Sequence, residues 1–373
     1  MHLRPLPSVP LPRANLRYGQ RFSDYRLPKG KPDRQQLAET IGRDGVHLLT
    51  QLYGAAAPVA LRALPAVETL RQVWVQQYYQ ESGVVRWRDA QNCPPASLLI
   101  ASPYDLESRY SEKRGRHWRG YKVHRTETCD DEALRIITHV ETTIAPDQDV
   151  TVVETMHHRL ADQALLPTVH VVDGAYVSSD GLVASQQDYQ VTLTGPMRQD
   201  PSWQARDPQA FDTSHFVIDW DQEVVTCPNG KQSWSWKPAT DSRDKPIIQV
   251  QFHKQDCTGC AVRPRCTRSA TAPREPTLHP KAQQMALQAA RERQQTESFK
   301  ALYKRRAGIE GTISQAVFTL GMRRTRYRGI KRTQLHHIAT ATAINLRRCI
   351  DWLQEVPRSK TYTSHFVRLA LAA

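Results

Sequence analysis

The spacing of hydrophobic positions changes along the chain between the helical and the strand pattern. Residues 65–80 space their apolar side chains as one face of a helix does, and Pro94 and Pro95 then interrupt the pattern. Beyond them, stretches with alternating or β-branched side chains are separated by helical spacing. These predicted elements are strands at 121–129 and 134–144, a helix at 149–165, a strand at 168–172, a helix at 177–187 and a strand at 189–193. Their order predicts an α/β core.

The pattern differs on both sides of this core. Short strand-like stretches separated by Asp, Gly and Pro turns predict a β-rich inserted subdomain after residue 200. Helical spacing returns after residue 280 and again at 334–353, and the N-terminal region carries two short helical candidates, near 34–41 and 45–53. The predicted segments are an N-terminal helical or irregular region (1–95), the first part of the core (96–200), the β-rich insertion (201–278), a C-terminal helical part of the core (279–356) and a tail (357–373).

Composition adds a strong positive charge. The 373 residues include 51 lysines and arginines against 37 acidic residues, a formal net charge of +14. A polyanion is the first partner that this charge suggests, because neutralising phosphates releases counterions. No apolar run approaches the roughly 20 residues that span a bilayer, and the N-terminus lacks the apolar stretch of a signal peptide. We therefore expect a cytoplasmic protein without a membrane segment.

Four of the seven cysteines are clustered in the β-rich segment, with the spacing Cys227-x29-Cys257-x2-Cys260-x5-Cys266. Thiolates on turns that are close in sequence can converge on one tetrahedral ion, and a reducing cytoplasm favours a metal over disulfides. Zn²⁺ is favoured over an iron–sulfur cluster because nothing else in the chain suggests redox chemistry. The spacing predicts a structural zinc site, and the alternative is four unliganded thiols.

Two carboxylates stand out by their position. Asp173 follows the apolar strand at 168–172, where a rigid, half-exposed carboxylate can bind Mg²⁺, although Asp-Gly after a strand is also a common turn. Glu310 is the only acid in residues 301–333, among nine lysines and arginines. It is either a salt-bridge hub or a metal ligand beside a phosphate-binding surface, unless the segment is simply a solvated basic helix.

The residues around Glu310 predict contacts with DNA. Tyr303, Arg306 and Glu310 are spaced by three and four residues, which predicts that they share one helical face. The stretch RRTRYRGIKR interleaves cations with a tyrosine around a glycine. Guanidinium groups bind phosphates through two nitrogens and a tyrosine can stack on a base. The DNA-binding side chains predicted in this stretch are Arg323, Arg324, Arg326, Tyr327 and Arg328.

Four pieces of the sequence occur in a specific order. They are SPYDLESRYSEKRGRHWRGYKVHRTETC (102–129), LLPTVHVVDGAY (165–176), the cysteine-bearing segment and YKRRAGIEGTISQAVFTLGMRRTRYRG (303–329). This ordered set resembles bacterial insertion-sequence transposases of the DDE class over roughly residues 20–365. The ordered set is much more specific than any one of its pieces.

The resemblance implies an RNase H-like mixed sheet flanked by helices, interrupted by the cysteine-bearing insertion. It also implies three acids that bind two divalent ions, Mg²⁺ or Mn²⁺. By resemblance Asp173 is the second acid and Glu310 the third, while Tyr303 and Arg306 belong to a Tyr-x2-Arg-x3-Glu signature whose arginine holds a phosphate. The implied partners are the terminal inverted repeats of an insertion sequence and, by analogy, a second copy of the chain.

One part of the sequence departs from this family. The Asp-x-Thr motif that carries the first acid is absent from residues 1–117, and Asp105 is the best internal substitute. Because the strand that bears this motif is central in an RNase H-like sheet, its loss would leave backbone groups unpaired. We therefore expect an N-terminally truncated copy, or one whose true start lies upstream, without transposition activity on its own.

The sequence leaves more than one function open. The first is metal-dependent phosphodiester cleavage and strand transfer at insertion-sequence ends. The alternative is a non-catalytic, zinc-containing DNA-binding protein derived from a transposase. A hydrolase of small phosphoesters fits less well, because the basic charge is spread over a long track.

Overall fold

A computed structural model of the protein describes Tyr18, residues 27–130 and residues 133–356. The predicted tail at 357–373 lies outside these residues. The described chain contains α-helices, short 3₁₀ turns and β-strands that form five small sheets, so the prediction of mixed α/β structure is confirmed. Within the same ranges, no helix combines the length and the apolar character needed to cross a bilayer.

The described residues divide into two compact units. The first unit holds the residues up to Val123 together with Thr142–Asp147 and Thr325–His336, and the second unit holds the remainder. The boundaries of the five predicted segments are not tested by this division and stay a prediction.

The first unit begins with two helices and a hairpin. They are α1 (Lys31–Tyr53), α2 (Pro65–Gln77), β1 (Tyr78–Glu81) and β2 (Val84–Trp87). One continuous helix, α1, replaces the two short helices that the sequence predicts. The helix continues through Gly42 and Gly45, whose lack of a side chain makes room for aromatic rings. A Cβ on Gly45 would overlap the indole of Trp74, and Trp74 Nε1 donates to Gly42 O at 3.0 Å. Packing against α2 therefore overrides the low helix propensity of glycine.

A three-stranded sheet in the order β3-β4-β5 follows. Its strands are β3 (Arg109–Lys113), β4 (Arg116–Glu127) and β5 (Ile137–Ile144). Strands β3 and β4 form an antiparallel hairpin, and Arg114 and Gly115 both have positive φ, as a tight two-residue turn requires. The unit boundary divides β4 after Val123 and β5 after Glu141.

A parallel strand pair forms part of the second unit. It consists of β6 (Val169–Val171) and β7 (Thr192–Thr194), preceded by α3 (Val153–Asp162) and joined by α4 (Ser179–Tyr189). Strand β7 begins later than predicted, because Gln190 takes a left-handed conformation that ends α4. The side chains buried around this pair are Val153, Val172, Leu182, Leu193 and Ala290.

Two buried histidines meet between β6 and α3, since His170 is part of the strand and His157 is part of the helix. His157 Nε2 and His170 Nδ1 are 3.0 Å apart. Burial lowers the pKa of both imidazoles, and that of His170 falls to about 4. Both rings are therefore neutral at pH 7 and pack as part of the core.

The β-rich segment has its own core. Its strands are β8 (Val217–Asp219), β9 (Val224–Thr226), β10 (Ser235–Thr240), β11 (Pro246–Gln251) and β12 (Thr277–Leu278), and its short helices are α5 (Trp203–Arg206), α6 (Lys254–Thr258) and α7 (Arg263–Cys266). Strands β8 and β9 pair antiparallel, and β10-β11-β12 form a separate sheet. The core consists of Phe216, Val225, Val250, Phe252 and Leu278. Short strands occur as predicted, whereas their role as an insertion into a larger fold stays a prediction.

Helices complete the described chain. They are α8 (Lys281–Arg293), α9 (Glu297–Arg305), α10 (Ala307–Phe318) and α11 (Ile330–Leu353). Helix α8 packs against α4, and its Ala290 joins the core beside β6. Thr296 caps α9, since its hydroxyl accepts from Phe299 N at 3.2 Å.

Candidate functional site

Asp173 lies just beyond the carboxyl end of β6, as the sequence predicts. Two glycines let the backbone pack closely there. A Cβ on Gly174 would lie 2.8 Å from Pro196 O, and one on Gly195 would lie 2.6 Å from Val172 O. These close contacts fix the turn that carries Asp173 and leave its side chain 55% exposed.

Arg306 lies at the joint between two helices. The single helical face predicted for Tyr303, Arg306 and Glu310 is wrong in detail, because α9 ends at Arg305 and α10 begins at Ala307. Arg306 nevertheless reaches both helices. Its guanidinium lies 5.8 Å from the centre of the Tyr303 ring, and its Nη1 lies 3.6 Å from Glu310 Oε1.

The same guanidinium contacts the other predicted acid. Arg306 Nη2 lies 3.4 Å from Asp173 Oδ2, so one cation contacts both carboxylates, although Asp173 precedes the arginine by 133 residues. The carboxylates are 55% and 72% exposed, and Arg306 is 21% exposed. Each ion pair contributes at most about 1 kcal/mol at such exposure. The contacts therefore orient the acids more than they stabilise the fold.

Two tyrosines lie close enough to these acids to interact with their charge, Tyr303 with both acids and Tyr176 with Asp173. Burial raises the pKa of Tyr303, and the two acids raise it further against the opposing effect of Arg306. Burial also raises the pKa of Tyr176, whose hydroxyl lies 2.7 Å from His124 Nδ1. Both phenols therefore remain protonated at neutral pH and can act only as neutral hydrogen-bonding groups.

The acid pair does not by itself form a metal site. Across the ranges that the structure describes, no group of three or more His, Cys, Asp or Glu side chains is placed so that it could hold a metal ion. At Asp173 and Glu310 the neighbouring positive charge is the guanidinium of Arg306. The two-ion arrangement implied by the resemblance therefore does not fit the side chains in their present positions.

A buried carboxylate that the sequence did not single out supports α10. Glu127, the last residue of β4, is 5% exposed, and its Oε2 accepts from Thr312 Oγ1 at 2.7 Å and from Arg348 Nη1 at 3.0 Å. Thr312 follows Glu310 by two residues on α10. The network therefore fixes the helix that presents Glu310.

A second contact brings α10 close to the same carboxylate. A Cβ on Gly308 would overlap the guanidinium of Arg135, and Glu127 Oε1 lies 3.6 Å from that position. Arg348 also donates to Arg135 O at 3.0 Å. The available sequence signals are weak: a charged residue within a strand pattern and a glycine two residues before Glu310.

Asp105, the predicted substitute for the first acid, caps a helix. Its carboxylate accepts from the hydroxyl of Tyr121 at 2.8 and 2.9 Å and from Gly329 N at 3.1 Å. Glu107 accepts from Ile330 N at 2.7 Å. Both carboxylates satisfy free N–H groups at the start of α11 and interact favourably with its dipole. Asp105 thus has a structural role within the first unit, and a catalytic role stays a prediction.

The predicted DNA-binding stretch is exposed. Arg323 lies over the ring of Phe318 at 5.8 Å, and Arg328 lies over the ring of Tyr104 at 5.2 Å. Aromatic faces position these cations without neutralising their charge, because a ring carries no net charge. The exposed side chains are Arg323 and Arg324 in the second unit and Arg326, Tyr327 and Arg328 in the first.

The four clustered cysteines share one small cavity of about 30 Å³ in the β-rich segment. Asn229 Nδ2 donates to Cys260 Sγ at 3.6 Å. Burial raises the pKa of the Cys266 thiol to about 11, so without a metal this thiol is protonated at neutral pH. The structure therefore brings together the four predicted ligands, which are Cys227, Cys257, Cys260 and Cys266.

Comparison with known proteins gives one family. The transposase DDE domain family matches residues 226–350 of the 373, a range that includes Tyr303, Arg306, Glu310 and the cysteine cluster. Asp173 lies outside the matched range. No curated protein and no solved structure shows a significant match to the chain. The family match supports the resemblance found in the sequence: over residues 226–350 the chain is similar to the transposase DDE domain.

Proposed function

We propose that this protein is a transposase that cleaves phosphodiester bonds and transfers DNA strands at the ends of an insertion sequence, with Mg²⁺ or Mn²⁺ as cofactor. The observation that carries the proposal is the meeting of Asp173 and Glu310 at Arg306. Asp173 comes from the end of a strand and Glu310 from a helix that is distant in sequence. Glu310 lies within the range that matches the transposase domain. A convergence of this kind supports an RNase H-like arrangement of β6, β7 and α10.

The proposed chemistry needs carboxylates that face solvent. Asp173 and Glu310 are both more than half exposed, so a DNA backbone can approach them. Divalent ions at such a site would activate the attacking oxygen and stabilise the leaving oxygen. The test is cleavage of labelled duplex DNA that carries the element's ends, with and without Mg²⁺ or Mn²⁺. Binding of this DNA without any cleavage in either metal would favour the non-catalytic DNA-binding protein instead.

The basic stretch is the proposed contact with the DNA backbone. Replacing Arg326 and Arg328 together with Ala is expected to weaken duplex binding and to lower the slope of log affinity against log salt by about 2, because each phosphate contact contributes about one unit. The measurement is fluorescence anisotropy over a series of salt concentrations. Exposed arginines elsewhere, Arg159 and Arg243, provide the matched control pair. If both double variants lose the same affinity for the duplex, the loss would come from the lower net charge of the protein and not from contacts of Arg326 and Arg328.

The cysteine cluster is proposed to hold a structural Zn²⁺. Four soft thiols around one small cavity support this. Among the described residues they do not yet form a group that could hold a metal ion, so the proposal is tested by measuring the metal itself. Elemental analysis of the purified protein is expected to find about one zinc per chain. The double substitution of Cys257 and Cys260 with Ser is expected to remove it, whereas Cys349→Ser is expected to retain it. Protein that contains no zinc after growth in zinc-supplemented medium would leave the cluster as four unliganded thiols.

A further inference from the structure

The β3–β4 hairpin of the first unit is strongly basic. Residues 109–119 hold five lysines and arginines against one acid, Glu112. At the base of the hairpin, Arg109 donates to Ser97 O at 2.8 Å and to Ser108 O at 3.0 Å, so this arginine anchors the hairpin. The other four cations are exposed, and they are Lys113, Arg114, Arg116 and Arg119.

The hairpin has an inner and an outer face. Residues directly opposite each other in an antiparallel pair share a face. Ser111 and Trp118 form one such pair and are partly buried, whereas the neighbouring pair, Tyr110 and Arg119, is exposed. The ring of Tyr110 stacks on the ring of His117 at 5.9 Å, and its hydroxyl is hydrogen-bonded to His117 Nδ1. The outer face therefore combines a cation with two rings that stiffen the hairpin.

The turn carries a charged residue where the backbone does not favour one. Arg114 and Gly115 have φ values of 53° and 72°. A left-handed conformation is unfavourable for residues with a Cβ, and turns of this type prefer Asn, Asp or Gly. Lys113 and Arg116 pair beside the turn, so three cations meet at the tip and repel one another. A bound polyanion would reverse this repulsion, which neither the backbone nor the free protein offsets.

The hairpin is joined to the basic stretch that is proposed to contact DNA. Tyr121, which follows the hairpin on β4, donates to Asp105 at 2.8 Å, and Asp105 also accepts from Gly329 N at 3.1 Å. Arg328 lies over the ring of Tyr104 in the same compact unit. Strand β3 extends about 14 Å at about 3.4 Å per residue. A duplex carries roughly eight phosphates over that length, at one charge per about 1.7 Å.

We propose that the β3–β4 hairpin is a second contact with duplex DNA and binds its phosphates through Arg114, Arg116 and Arg119. Guanidinium groups bind phosphate oxygens through two nitrogens, and the major groove admits a two-stranded β-ribbon. A duplex fits better than a single strand, because Tyr110 and His117 stack on each other and do not form a row of free rings for bases. This inference rests on the proposed function, because it takes DNA as the partner from it.

The test measures binding of DNA by the full chain. Arg114→Asn combined with Arg116→Gln removes two charges from the tip of the hairpin. Fluorescence anisotropy follows a labelled duplex of arbitrary sequence, and separately one of its strands, over a series of salt concentrations. The double variant is expected to lower the slope of log affinity against log salt by about 2, and to bind the duplex about tenfold or more weakly at about 0.1 M salt.

Two controls make the test specific. Arg159→Gln combined with Arg243→Gln removes the same charge from exposed positions elsewhere, and its salt slope is expected to match the wild type. Thermal unfolding separates lost contacts from lost folding. Because Asn tolerates the left-handed conformation better than Arg, the midpoint of Arg114→Asn is expected not to fall.

The outcomes separate this inference from the proposed function. If the hairpin variant keeps the wild-type affinity and salt slope, or loses no more than the control pair, the inference is overturned even if the wild type cleaves DNA. A loss confined to the single strand would also overturn it. If the wild type never cleaves DNA, but duplex binding is weakened by the hairpin variant alone, the proposed function fails and the hairpin remains a DNA contact.

Discussion

Replacing Asp173 with Asn, or Glu310 with Gln, is expected to lower metal-dependent DNA cleavage by about a thousandfold or more. Loss of one charged group that stabilises the transition state has this order of effect. Both substitutions keep the size of the side chain and remove only its charge. Affinity for duplex DNA is expected not to fall, because removing negative charge near the DNA does not weaken a phosphate contact. The measurement is the single-turnover cleavage rate at saturating Mg²⁺ or Mn²⁺.

Exposed carboxylates of the same chain provide matched controls. The control substitutions are Glu297→Gln and Asp162→Asn. Glu297 lies on α9 with its side chain 87% exposed, and Asp162 lies at the end of α3 with its side chain 51% exposed. Cleavage is expected to be unchanged in both. If the Asp173 and Glu310 variants cleave as fast as the controls, the acid pair is not the catalytic centre.

Replacing Glu127 with Ala is expected to lower the apparent free energy of unfolding by about 3 kcal/mol. The reason is that the partly buried Arg348 loses its carboxylate and Thr312 loses a hydrogen-bond acceptor. Glu127→Gln is expected to cost less, because the amide oxygen still accepts a hydrogen bond. Urea titration followed by circular dichroism measures both changes.

The matched control for this network lies on the same helix as Arg348. Asp351 pairs with Arg347 at 2.9 Å on α11, with side chains 31% and 70% exposed. Asp351→Ala is expected to change stability by no more than about 0.5 kcal/mol, the usual magnitude for such a helical pair. A loss for Glu127→Ala as small as that of Asp351→Ala would mean that the buried network does not hold α10 in place.

The position of Asp173 could be predicted because it depends on local pattern. A short apolar stretch bounded by a proline and an Asp-Gly pair has few structural solutions, and the strand formed at Val169–Val171. Glu310 could be singled out for a similar reason, since it is the one acid within a long basic stretch. The helical spacing around it predicted its neighbours but not the joint at Arg306, where two helices meet.

The supporting contacts could not be predicted in this way. The sequence pattern predicts Glu127 to be an ordinary polar position of a strand. In the structure its carboxylate is buried against Arg348, 221 residues later. The sequence suggests Asp105 as a substitute for the first acid, whereas in the structure this residue caps α11 through Gly329, 224 residues away. A single sequence carries no signal for such pairs, because each partner's local context is unremarkable without the other.

The sequence by itself determined the charge of this protein, its mixed α/β elements, the two acids and the four cysteines, because these follow from composition and from spacing over a few residues. The tertiary structure alone decided that Arg306 faces both acids, that Glu127 anchors α10 and that Asp105 serves a helix. These contacts join residues far apart in the chain. Their proximity results from the packing of all the elements together, which no local pattern records.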